Sequence, residues 1–123
     1  MAEQKPIKVL IVCAMGMSSS LLETKTIEAG KNAGFEVQMH AITTPDVGMW
    51  DWQANWVDVV LVAPQVRYKR KSIAQAANPL GIIVQDIDVV TFGMVDGDKL
   101  FAQVRSAVQA RDAGTSVEAL SGR

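Results

Sequence analysis

Residues 58–63 read Asp-Val-Val-Leu-Val-Ala, and Pro64 ends the run. Consecutive apolar residues in a strand point to both of its faces, so a strand of this kind needs cover on both sides. A parallel sheet sandwiched between helices provides it, and the rest of the chain supplies the alternation such a sheet requires. Lys8 to Val12 predicts a first strand. Ser20 to Ala33 predicts a helix, with Leu22, Ala29 and Ala33 on one stripe, Leu21 at its edge and Gly34 as the stop. Ser20 and Glu23 fit a capping box, and Ser18 is an equally good cap. Phe35 to Ile42 predicts a second strand. Val66, Ile73 and Ala77 share a stripe on a third helix that stops before Asn78-Pro79. Ile82 to Val84 predicts a fourth strand. A mixed segment from Asp86 to Gly97 leads to a last helix defined by Leu100, Phe101, Val104 and Val108. Val47 to Trp56 carries all three tryptophans and reads as a short helix or an ordered loop. The expected organisation is a flexible start over residues 1–6, one α/β domain over 7–112, and a disordered tail over 113–123.

With 123 residues, 49% of them hydrophobic, the chain suits one compact domain. A net charge of −1 argues against nucleic acid as the main partner. The basic run Arg67-Tyr68-Lys69-Arg70-Lys71 reads as a solvated helix face. A single cysteine forms no internal disulfide. Met1 to Pro6 is too polar and short for a signal peptide, and no apolar run reaches the ~18 residues that would span a bilayer. A cytoplasmic protein is expected, with any membrane role arising through a partner.

That cysteine, Cys13, ends the first strand and opens a loop of small residues, Ala14-Met15-Gly16-Met17-Ser18-Ser19-Ser20, ahead of the first helix. Backbone N–H groups converge in such a loop, and a helix N-terminus favours negative charge, so the geometry suits a phosphate cradle. The same field favours thiolate over thiol. A nucleophile inside an anion site suggests a cysteine that carries a phosphoryl group. The bland alternative is a small buried hydrophobe, since lone cysteines at strand ends are often just that. One Gly and three consecutive Ser are poor core material and weigh against it. A Cys-x5-Arg phosphatase loop is the chemical rival. Its arginine clamps the transferring group, but the matching position here is Ser19. A thioredoxin-like site lacks its second cysteine, and one Cys with one His makes no metal ligand set. His40 falls out of phase with the apolar positions of its strand and reads as a surface residue.

These residues resemble the enzyme IIB component of the bacterial sugar phosphotransferase system, lactose/cellobiose class. Residues 12–22 are similar to that family's Cys-x-x-Gly-Met-Ser-x-Ser-Leu-Leu loop, 58–68 to its third strand and Pro-Gln loop, and 93–97 to the turn before its last helix. The resemblance implies a flavodoxin-like three-layer αβα sandwich with a four-stranded parallel sheet. It implies that Cys13 accepts a phosphoryl group from a phosphohistidine of enzyme IIA. The group then passes to a sugar, a β-disaccharide by class, bound by the membrane subunit enzyme IIC. Ala14, Met15, Gly16, Met17, Ser18, Ser19 and Ser20 would form the phosphate cradle. Met17, Leu21, Pro64, Gln65 and Tyr68 would face partners, although Leu21 also suits the core. No cofactor and no metal are implied. A peripheral association with the transporter subunit is expected. Two features depart from the family pattern: Ala63 stands where many relatives carry Gly, and the Trp-rich segment has no counterpart. A regulatory phosphocysteine module and a Cys-loop hydrolase remain as alternatives.

Overall fold

The computed structural model describes residues 5–14 and 20–121. Residues 1–4 of the expected flexible start, Met15 to Ser19 of the expected cradle, and residues 122–123 lie outside them. Four strands, β1 (Ile7–Cys13), β2 (Val37–Thr43), β3 (Val59–Val62) and β4 (Ile83–Asp86), form one parallel sheet in the order β2-β1-β3-β4. The helices are α1 (Ser20–Asn32), α2 (Thr44–Val47), α3 (Arg70–Ala77), α4 (Val89–Gly93), α5 (Gly97–Asp112) and α6 (Val117–Ser121).

β3 has the central place its sequence demands. Val59, Val60, Leu61 and Val62 have no solvent exposure. Ile7, Val9, Ile11 and Leu61 pack with Leu22 of α1 and Leu100, Phe101 and Val104 of α5. Leu10, Val12, Val60, Val62 and Val84 pack on the other face with Ile73 and Ala77 of α3 and with Trp52. Each face buries several large aliphatic chains, at about 1.5–3 kcal/mol apiece. Two glycines let α1 and α5 come close. A Cβ on Gly97 would run into the backbone of Lys25, and one on Gly30 would meet Val37 and Phe101.

The structure moves several expected boundaries. Phe35 is not yet in β2. Its N–H donates to the Gly30 carbonyl at 2.8 Å while Gly34 adopts φ +87°, so residues 34–35 close α1 in a left-handed cap. The single helix expected over Val66 to Ala77 is two pieces. Pro64–Lys69 is a 3-10 turn, and Val66 lies off helical geometry at φ −124°, ψ 22°, yet its side chain stays in the core. β4 runs on to Asp86 because its polar residues find partners. Gln85 donates to the Leu120 carbonyl at 2.8 Å, and Asp86 pairs with Arg70 at 3.2 Å.

The disordered tail expected over 113–123 needs correction, because residues 117–121 form α6. This helix covers the open edge of β4, the place where unpaired backbone invites unwanted pairing. The Val84 N–H donates to Ser121 Oγ at 2.8 Å, and that hydroxyl donates to the Val117 carbonyl. Asn78 donates to Ser121 Oγ at 3.1 Å, and Arg70 donates to the Ser121 carbonyl at 2.7 Å. A small polar composition suggests fraying, but these hydrogen bonds tie the segment down and Val117 and Leu120 pack against the core.

Candidate functional site

Cys13 is the last residue of β1 and sits in register with Thr43 of β2. From β1 the chain goes first to β2 on one side and then crosses to β3 on the other. Cys13 therefore marks the carboxyl end of the sheet where strand order reverses, the usual ligand crevice of open parallel sheets. The residue is buried at 3% exposure and packs with the α3-side core. Its thiol donates to the Ile42 carbonyl, with sulfur and oxygen 3.6 Å apart. This bond fixes where the sulfur sits. Ala63, directly after β3, is also fully buried, and its N–H donates to the Val12 carbonyl at 2.9 Å. The two strand ends are thereby held side by side.

Ala14 is half-buried and follows the sulfur out of the sheet. Ser20 opens α1 and is exposed. The expected cradle residues Met15, Gly16, Met17, Ser18 and Ser19 lie outside the described residues. Of the expected partner-facing residues, Leu21 and Tyr68 are large apolar side chains open to solvent, at 56% and 71%. The exposure of Leu21 removes the option of a core role. Gln65 is exposed and Pro64 half-buried, both on the 3-10 turn that follows β3.

Sequence reasoning missed a third apolar element at this end. Val89, Val90 and Met94, in and just after α4, are all more than half exposed. With Leu21 and Tyr68 they come from the segments that follow β1, β3 and β4. A legible signal existed, since Asp88 ahead of Val89-Val90 is an N-cap pattern. The Asp88 carboxylate accepts from the Val90 and Thr91 N–H groups, both at 3.1 Å. The Thr91 backbone bond is the largest influence on this carboxyl. Desolvation opposes it, while Lys99 and the Val90 and Thr91 bonds assist, and the pKa lies below its ordinary value.

Asp86 lies at the carboxyl end of β4, but its carboxylate faces Arg70. Arg70 is occupied by Asp86 and the Ser121 carbonyl, so it holds structure together and supplies no clamp for a phosphoryl group. His40 is exposed, as its phase indicated, and its ring stacks on Trp50 at 6.3 Å between centroids. The tryptophan segment divides in three. Trp52 is core, Trp50 lies half-buried against His40, and Trp56 is 37% exposed with its Nε1–H donating to the Leu80 carbonyl. Among the described residues no group of three His, Cys, Asp or Glu could hold a metal, and no helix is long and apolar enough to cross a membrane.

The family model described as the lactose/cellobiose-specific IIB subunit of the phosphotransferase system matches residues 8–103. The chain belongs to this family. It is 34% identical over 99 residues to the oligo-beta-mannoside-specific EIIB component of Bacillus subtilis, covering 80% of this chain and 93% of that one. It is 31% identical over 96 residues to the cellobiose-specific EIIB component of Lactococcus lactis, covering 76% and 89%. The structure of the lactose-specific IIB domain from Streptococcus pneumoniae superposes with a TM-score of 0.68 at 21% identity, over 83% of this chain and 97% of that one. The cellobiose-specific IIB component of Borrelia burgdorferi gives 0.64 at 27% identity, over 93% and 99%. The fold is the flavodoxin-like α/β arrangement of these IIB domains. Components of this family are phosphotransferases of sugar transport. The family match stops at residue 103, so α6 and its hold on β4 lie beyond it.

Proposed function

We propose that this IIB subunit carries a phosphoryl group on Cys13 between two partners, a phosphohistidine of enzyme IIA and a sugar bound by the membrane subunit enzyme IIC. The observation that carries the reading is the position of Cys13, the single cysteine, at the strand-order switch inside the family match. In the first step the sulfur attacks phosphorus, the P–N bond breaks, and the thiol proton is balanced on the departing imidazole. In the second, a sugar hydroxyl attacks phosphorus, the S–P bond breaks, and the thiolate is released. The hydroxyl proton passes to a base of the receiving complex. Two easier transfers replace one difficult one.

Ala14 to Ser20 form the cradle on this reading, since a run of small residues ahead of a helix suits an anion. Met17, Leu21, Pro64, Gln65 and Tyr68 form the docking surface, and the exposed Val89, Val90 and Met94 extend it. Relatives specific for oligo-beta-mannosides, cellobiose and lactose favour a β-linked sugar such as a β-disaccharide, and sugar choice resides in the membrane subunit. The protein works in the cytoplasm, bound peripherally to that subunit. No metal or cofactor takes part, because the group arrives on a protein. The test is intact mass after incubation with phosphoenolpyruvate, the general phosphotransferase proteins and a cognate enzyme IIA. One added phosphate on wild type and none on Cys13→Ser is expected, with loss of that mass when enzyme IIC membranes and sugar are added. A phosphate acquired equally by Cys13→Ser would overturn the assignment.

A further inference from the structure

The amino end of the sheet, opposite Cys13, holds a cleft of about 740 Å³, within the range of small-molecule sites. Phe35, Trp56, Lys5, Lys8 and Arg105 line it. The indole of Trp56 is held in place by its bond to the Leu80 carbonyl at 2.9 Å while 37% of the residue stays open to solvent. That makes it a fixed ring platform. Phe35 is wedged between Phe101, at 5.7 Å between centroids, and the Arg105 guanidinium, 4.7 Å from its ring centre. Arg111, Asp58 and Asp112 also reach the cleft; Arg111 pairs with both carboxylates, and the three together carry one net negative charge. Lys5, Lys8 and Arg105 are exposed and make no ion pair among the described residues. Lys5, Lys8 and Arg105 outweigh that charge and leave the cleft with a net charge of +2 beside its aromatic rings, on a chain whose net charge is −1. Concentrated positive charge beside an apolar wall raises the local concentration of anions.

We propose that this cleft binds a phosphate monoester carried on a ring with an apolar face: the ring stacks on Trp56, and Lys5, Lys8 and Arg105 hold the phosphate. Two kinds of compound share that chemistry, a phosphorylated sugar and a nucleoside monophosphate. Cys13 lies five residues along β1 from Lys8 of this cleft, roughly 17 Å at the rise of a parallel strand. A ligand bound there does not reach the sulfur. Occupancy of the cleft does not depend on the phosphocarrier reading, so Cys13→Ser should bind as wild type does.

The experiment follows the indole and backbone N–H resonances of the full chain during titration with glucose 6-phosphate, AMP, inorganic phosphate and glucose. Saturable shifts at Trp56 and at residues 8 and 105 are expected with at least one phosphorylated ring, and the tighter of the two names the source. Inorganic phosphate and glucose should each bind about tenfold more weakly or worse. The Lys8→Gln/Arg105→Gln pair removes two of the cations together with the Arg105 stack on Phe35, and should weaken the phosphorylated ring about tenfold or more while its resonances stay dispersed. No saturable shift with either ring phosphate at millimolar concentration would overturn the proposal. So would equal binding of inorganic phosphate, which needs no platform, or unchanged affinity in the double variant.

Discussion

The two ends of the sheet are built on opposite plans. At the carboxyl end, a buried sulfur is surrounded by short segments that project Leu21, Tyr68, Val89, Val90 and Met94 into solvent. At the amino end, the buried polar groups are locked together, beside the exposed cations of the cleft. Asp58 is only 8% exposed, its carboxylate accepts from the Lys8 N–H at 2.8 Å, and Arg111 reaches it at 2.9 Å. Burial disfavours the Arg111 charge, yet the bonds to Asp58 and Asp112 outweigh it and raise its pKa. One end leaves apolar surface without cover, as a docking face requires. The other satisfies its buried charge and fastens β1 to α5. The difference teaches that chemistry and fastening are separable here, and substitutions can test that.

The largest contrast is expected from Cys13→Ser. Phosphoryl transfer should fall to background in the mass assay. The shorter C–O bond draws the hydroxyl back from the Ile42 carbonyl, which the sulfur reaches at 3.6 Å, so a buried hydroxyl is left short of its partner and stability should drop by about 1–3 kcal/mol in urea denaturation. The reverse is expected of Asp58→Ala. Removing it leaves Arg111 without its buried partner and the Lys8 N–H without an acceptor. Unfolding free energy should fall by about 2–4 kcal/mol, less than for a fully buried pair because both side chains keep some solvent contact. The protein that remains folded should take up phosphate at the wild-type rate. A large loss of rate there would join the two ends and break the comparison.

How much of this was readable in the residues follows the same division. β3 could be placed centrally from its unbroken apolar run, and Cys13 could be placed at a strand end from the small-residue loop behind it. The amino end was illegible. Asp58 reads only as the polar start of a strand, and its partner Arg111 lies 53 residues away with nothing local to announce it. β4 was read too short because Gln85 and Asp86 look like loop residues until Leu120 and Arg70 arrive to satisfy them. Apolar periodicity is a local signal, whereas polar burial depends on partners that only the tertiary fold supplies.

A smaller effect should come from the edge of the sheet. Ser121→Ala removes the acceptor for the Val84 N–H and for Asn78. A loss of about 1–2 kcal/mol is expected, with hydrogen exchange at Val84 accelerated more than at Val60 in the sheet centre. Equal acceleration at both positions would mean that α6 acts on the whole sheet and not on its edge.

The smallest expected effect sharpens the comparison at the docking end. Asp88 caps α4, the helix that presents Val89 and Val90. Its carboxyl pKa is depressed below the ordinary 3.8. The ionised form is therefore favoured by folding, and the cap contributes fully at pH values above that ordinary value. Its contribution is lost as pH falls through the lowered folded value. Asp88→Asn keeps an acceptor oxygen but removes the charge that the Thr91 and Val90 N–H groups and Lys99 favour. Global stability at neutral pH should barely change, because the group is open to water. Affinity for enzyme IIA should fall a few-fold at neutral pH, since a loosened α4 presents Val89 and Val90 less rigidly and the ordering is deferred to binding. Intrinsic phosphorylation at saturating enzyme IIA should be unaffected. An affinity equal to wild type, measured by titration calorimetry, would remove α4 from the docking face and leave that face to Leu21 and the Pro64–Lys69 turn.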